Sequence, residues 1–185
     1  MKKALLFIML LLLVMPVVAP FTPYPGERVK QIRFLLEKQS KEREFELFIE
    51  NLGLRESGNT WNIINTIGCM GKWQFSQKTL AHLGYKNITT KKFQKDANIF
   101  PEELQKKVLL SLIQMNEMIL KDYSSYLGTI ISGVVITRPG MIAAAHLGGA
   151  GSVKLFLSSN GRIDKRDRYG TSIKNYMSEF VMYDF

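Results

Sequence analysis

The stretch LRESGNTWNIINTIGCMGKWQF, from Leu54 to Phe75, holds a single acid, Glu56, among glycines, amides, hydroxyls and two tryptophans. A carboxyl group placed alone in this way can give a proton to a leaving group and take one back. A solvent-facing loop seldom carries two tryptophans, and a packed strand seldom carries Gly58, Gly68 and Gly71 so close together. The stretch has the makings of a cleft wall with Glu56 as its acid. Cys69 is the sole cysteine, which excludes an intrachain disulfide. As a nucleophile it would need a partner, and the histidines are His82 and His146; packing among small residues is the expected role of Cys69.

The elements around that stretch must position the acid. Helical periodicity runs from Glu27 to about Leu54, with a break expected near Ser40, and Phe45, Phe48, Ile49 and Leu52 share one face. Glu56 then falls at or just past the helix C-terminus. There the negative end of the helix dipole and an apolar surround both work against the ionised carboxylate. Ser76 suits the cap of a short helix, Gln77 to Leu83, with Gly84 as its stop. The longest helix is expected from Pro101 to about Leu127, with so wide an apolar arc that it should be the central buried helix, Met115 and Met118 filling core.

The segment TIISGVVIT, Thr129 to Thr137, is open between a strand and a connector, and Thr137 suits the cap of RPGMIAAAHL. Ala143, Ala144 and Ala145 allow a neighbour to come close. Gly148, Gly149 and Gly151 interrupt that helix before the short helix SVKLFL. A turn-rich loop with the Asn160-Gly161 signal follows, and Thr171 or Ser172 caps a last helix bearing Ile173, Tyr176, Met177 and Phe180. Asp164 and Asp167 in the loop could order it or hold a cation, but two acids in a turn are too few for a metal site. The fold class is mainly α. Neither metal nor cofactor is expected.

Composition bounds the rest. At 185 residues, 46% hydrophobic and 22% charged, the chain suits one globular domain. Lys2 and Lys3 precede an apolar run from Ala4 to Met15, then Pro16 and Val17-Val18-Ala19, the layout of a signal peptide over residues 1–19. The run is shorter than the ~20 residues that span a bilayer; an uncleaved anchor, tethering the chain to a membrane, is the alternative. A domain over 20–185 is therefore expected to be exported, to the periplasm or outside the cell. Its net charge of +9, less the two leader lysines, leaves +7. That charge favours the anionic cell envelope as partner over nucleic acid, which export sets aside. KNITTKKFQK, 86–95, is expected to be solvated surface, and GRIDKRDR, 161–168, is the better binding candidate.

RESGNTWNIIN, GCMGKWQFS and LAHLGY, followed by AAAHLGGAGSVKLFL and GTSIKNY, together resemble the lysozyme-like, lytic-transglycosylase-like peptidoglycan-cleaving domains of bacteria and phages. The resemblance covers roughly Phe45 to Phe180. It implies a lysozyme-like single domain with a loop-rich glycan cleft, Glu56 as catalytic acid/base, and Ser57 supporting it. It implies that Met70, Gly71 and Gln74 line the sugar groove, matching a G-x-M-Q-like segment, with Asn65 before them, and that Tyr176 approaches the glutamate. Gly170 and Thr171 stand where an acid and Thr are usual, so the chain departs from the family at Gly170. It departs again where the family has A-Y-N-x-G: here stand Ala144, Ala145, His146, Leu147 and Gly148, so Tyr is missing and His replaces Asn.

The residue types suit the same chemistry. Glycan cleavage needs a carboxylic acid that donates to the leaving oxygen. Aromatic faces such as those of Trp61 and Trp73 suit sugar rings, and Asn59, Asn65 and Gln74 can pair with hydroxyls and N-acetyl groups without adding charge. Both tryptophans stand open between platform and core, and His146 between groove contact and a packed histidine. The expected function is an exported lytic transglycosylase acting on peptidoglycan strands through Glu56. The alternatives are a hydrolytic muramidase and a non-catalytic peptidoglycan-binding or assembly protein.

Overall fold

A computed structural model describes residues 25–185; the leader expected over 1–19 lies outside the described residues. The chain divides into two units between Glu37 and Lys38. The boundary falls within the first helix, α1 (Pro25–Ser57). In the first unit Val29, Ile32, Phe34, Leu35 and Leu36 are exposed, whereas Phe48, Ile49 and Leu52 of the second are fully buried. The helix runs unbroken through Ser40, because neither Gly nor Pro falls between Gly26 and Gly53 to interrupt its ladder. No helix among the described residues is long and apolar enough to cross a membrane.

In the second unit short helices follow: α2 (Gln77–His82), capped by Ser76, and α3 (Thr90–Lys95), capped by Thr89. The α3 stretch is more than solvated surface: Lys91, Lys92 and Lys95 are exposed, but Ile88 and Phe93 are buried in the core. After a 3₁₀ turn, α4 (Glu102–Leu120) begins one residue beyond Pro101, which occupies the N-cap position, and tightens to 3₁₀ over Lys121–Tyr126. The segment TIISGVVIT forms a hairpin, β1 (Ile130–Ile131) antiparallel to β2 (Val134–Val135). Ser132 and Gly133 both take positive φ at its turn, the backbone that a two-residue hairpin loop demands. Then come α5 (Arg138–Gly148), α6 (Ala150–Ser158) and α7 (Ile173–Glu179).

The centre of the fold is α5 and not α4. Every residue from Pro139 to Ala145 is buried, whereas α4 leaves Leu110, Ile119 and Met118 exposed, the last at 73%. Small side chains decide this. A Cβ on Gly140 would lie 2.9 Å from the Met177 carbonyl oxygen, so α7 can cross α5 only where that position lacks one. α5 also packs on α6 and α4. The cap of α7 is Ser172, in a reciprocal capping box with Asn175, which leaves Thr171 in the loop.

Candidate active site

Glu56 lies in the last turn of α1, half-buried. From 120 residues away, α7 presents Tyr176, 2% exposed, whose hydroxyl donates to Glu56 Oε1. Burial, and then the negative charge of Glu56, push the Tyr176 phenol well above the ordinary tyrosine value. Tyr176 therefore stays a hydrogen-bond donor through the neutral range. The preceding residue, Arg55, stacks its guanidinium 5.3 Å from the Tyr176 ring centroid and pairs with Glu179 at 2.9 Å. Two successive residues thus pin the end of α1 to α7.

The segment after α1 wraps back under the acid. Asn65 Oδ1 accepts from the backbone N–H of Ile67 and Cys69, while Met70 pairs by backbone with Ile64 and Phe75. Gly71 has φ +80°, and a Cβ there would meet Gln105 Oε1 at 2.2 Å, so only glycine fits on both counts. Ser57 supports the acid through the backbone, its Oγ donating to the Lys72 carbonyl at 2.7 Å and accepting from Thr60 N–H. Gln105, fully buried on α4, accepts from Lys72 N–H and donates to the carbonyls of Trp61 and Phe100. Its signal in the sequence is an amide, like Asn116 eleven residues on, set in the apolar arc of α4. Lys72 Nζ reaches Glu50 and Glu102, each at 2.9 Å. Burial works against its charge, but the hydrogen bonds to Glu102 and Glu50 prevail and hold the ammonium above the ordinary lysine value.

Two expected groove residues are not in the groove. Trp73 is 1% exposed, donates from Nε1 to the Ile49 carbonyl at 2.8 Å, and carries Lys72 Nζ over its ring. Its indole is core, since turning it outward would break the bond from its N–H to α1 and empty a large volume. Met70 is likewise fully buried and contributes its backbone. Trp61 is half-buried. Cys69 does reach the site, but burial raises its thiol above the ordinary value against the Asn65 hydrogen bond, which suits packing and not nucleophilic attack.

A cavity of about 110 Å³ brings together Glu56, Asn65, Cys69, Gln74, His146 and Asp167. Gln74 takes positive φ, donates to the Gly71 carbonyl, and leaves Oε1 buried without a partner. His146 Nε2 bonds the Trp73 carbonyl at 2.8 Å. A carbonyl only accepts, so Nε2 carries the hydrogen, and in the neutral ring Nδ1, buried and without a partner, is an acceptor. Of the two loop acids, Asp164 accepts from Lys174 N–H at the start of α7, and Asp167 lines the cavity. Asp167 Oδ1 also accepts from Tyr169 and Thr171 N–H, which orders the loop, one of the two roles open to it. Tyr169, unremarked in the sequence, lines the same cavity and shares a hydrogen bond of 2.6 Å with Thr66. Among the described residues no three His, Cys, Asp or Glu side chains gather as metal ligands would. The site therefore unites Glu56, Asn65, Gln74, His146 and Tyr176, with Ser57 and Gly71 shaping its backbone. No protein-family model, curated protein or solved structure matches this chain.

Proposed function

We propose that the chain is an exported peptidoglycan lytic transglycosylase. The observation that carries this is the pairing of Glu56 with Tyr176 at a cavity whose other polar groups are mostly neutral. A carboxyl held by a buried phenol can protonate the glycosidic oxygen as the bond from anomeric carbon to oxygen breaks, and the phenol then stabilises the carboxylate left behind. The 6-hydroxyl of the muramic residue closes onto its own anomeric carbon and passes its proton to Glu56. Proximity favours this route, because the attacking hydroxyl is already tethered. It needs one carboxylate and ends in 1,6-anhydro-muramic products. Asn65, Gln74 and His146 then supply the polar contacts that hold the sugar.

A hydrolytic muramidase is the second reading, favoured by the presence of Asp167 on the same cavity as Glu56. Hydrolysis recruits a second carboxyl to attack the sugar or activate water. Mass analysis of products from purified sacculi separates the two. Transglycosylase products are lighter by one water than hydrolysed muropeptides and lack a reducible muramic end. Reducible ends would show that water attacks and point to Asp167 as the partner acid, and sacculus binding with no product at all would leave a non-catalytic binding protein.

A further inference from the structure

Among the described residues three buried side-chain polar atoms have no hydrogen-bond partner: Gln74 Oε1, His146 Nδ1 and Asn116 Nδ2. An unmet buried donor or acceptor is costly, and native structures keep few of them. Gln74 and His146 line the Glu56 cavity. Asn116 is elsewhere, on α4 and 3% exposed, lining a second cavity of about 710 Å³ that shares His146 and Leu147 with the first.

The walls of that second cavity have their own chemistry. Leu112, Met115, Ile119 and Leu147 make much of the surface, and the glycine-rich turn between α5 and α6 opens one side. Among the described residues no Trp, Tyr or Phe lines it, so they offer no flat face on which a sugar ring can stack. No carboxylate among the described residues lines it either, whereas Lys78 and His82 stand exposed at its rim. Aliphatic pockets, a donor that needs a carbonyl, an acceptor that needs an N–H and a cation that needs an anion together describe a short peptide with small side chains and a carboxylate.

We infer that this groove is a peptide-binding subsite, in which Asn116 Nδ2 donates to a peptide carbonyl, His146 Nδ1 accepts a peptide N–H and Lys78 pairs with a carboxylate. If the proposed function holds, the peptide is the stem carried by the muramic residue, seated beside the bond that Glu56 cleaves. Binding itself needs no turnover, so it is measured separately from cleavage. The probe is the tripeptide L-Ala–γ-D-Glu–L-Lys, titrated into the full chain and followed by NMR shifts of the Asn116 side-chain amide and of the Gly148, Gly149 and Gly151 backbone amides on the same cavity, which both variants keep. Saturable shifts are expected, with affinity about tenfold weaker in Asn116→Leu, the loss of one hydrogen bond. The same variant should melt no lower than the parent, since it removes an unmet donor. Lys78→Gln, at an exposed position, should weaken binding several-fold and flatten its salt dependence. No saturable shift, unchanged affinity in both variants, or displacement by a peptide-free chitooligosaccharide would each overturn the inference.

Discussion

The two adjoining cavities differ in how their polar groups are spent. Around Glu56 the acid and the groups that hold its loops are engaged, Tyr176 on the acid, Asn65 on two backbone N–H groups, Asp167 on two more and Ser57 on the Lys72 carbonyl, while Gln74 Oε1 and His146 Nδ1 are left unmet. In the larger groove Asn116 Nδ2 is left unmet, and the walls are aliphatic. The contrast separates two jobs. Wiring fixes a reacting group to within the tolerance that chemistry needs, while unmet donors and acceptors leave a surface that only a ligand completes.

The comparison can be broken most severely at the acid. Glu56→Gln keeps size and removes the transferable proton, so turnover on sacculi should fall by at least ~10²-fold with sedimentation on sacculi retained. Near-normal zymogram clearing in that variant would remove Glu56 from the reaction. Tyr176→Phe keeps the ring and deletes the donor, which should cost about tenfold in kcat/KM. The same variant carries a pH signature. Because the folded phenol ionises later than the unfolded one, the parent should lose stability as pH rises above the ordinary tyrosine value of about 10. Urea midpoints at pH 9 and pH 11 should therefore fall further apart in the parent than in Tyr176→Phe.

Weaker perturbations sharpen the contrast. Asp167→Asn keeps one oxygen to accept the Tyr169 and Thr171 N–H groups, so it should slow a transglycosylase only a few-fold, measured as initial release of soluble muropeptides. Abolished turnover would mean that water is the nucleophile. The smallest effect is expected at Tyr169→Phe, which removes the exposed bond to Thr66 and should change stability by less than ~0.5 kcal/mol in urea unfolding. A larger loss would show that this bond holds the loop over the cavity.

What was legible in the sequence was local. Ser76, Thr137 and Ser172 each lie three residues from the helix N–H groups they cap, and the apolar spacing of Phe48, Ile49 and Leu52 marks a buried face whatever covers it. By the same logic Glu56 could be placed at a helix end from its neighbours alone. Only tertiary structure decided what surrounds it. Whether Trp73 faces groove or core depends on a carbonyl in α1, 24 residues earlier, and whether Asp164 or Asp167 shares the cavity depends on the path of a loop set by the start of α7. Tyr176 meets Glu56 because Gly140 lets α7 lie against α5. Such contacts arise from close packing between segments far apart in the chain, and no local pattern of residues encodes them.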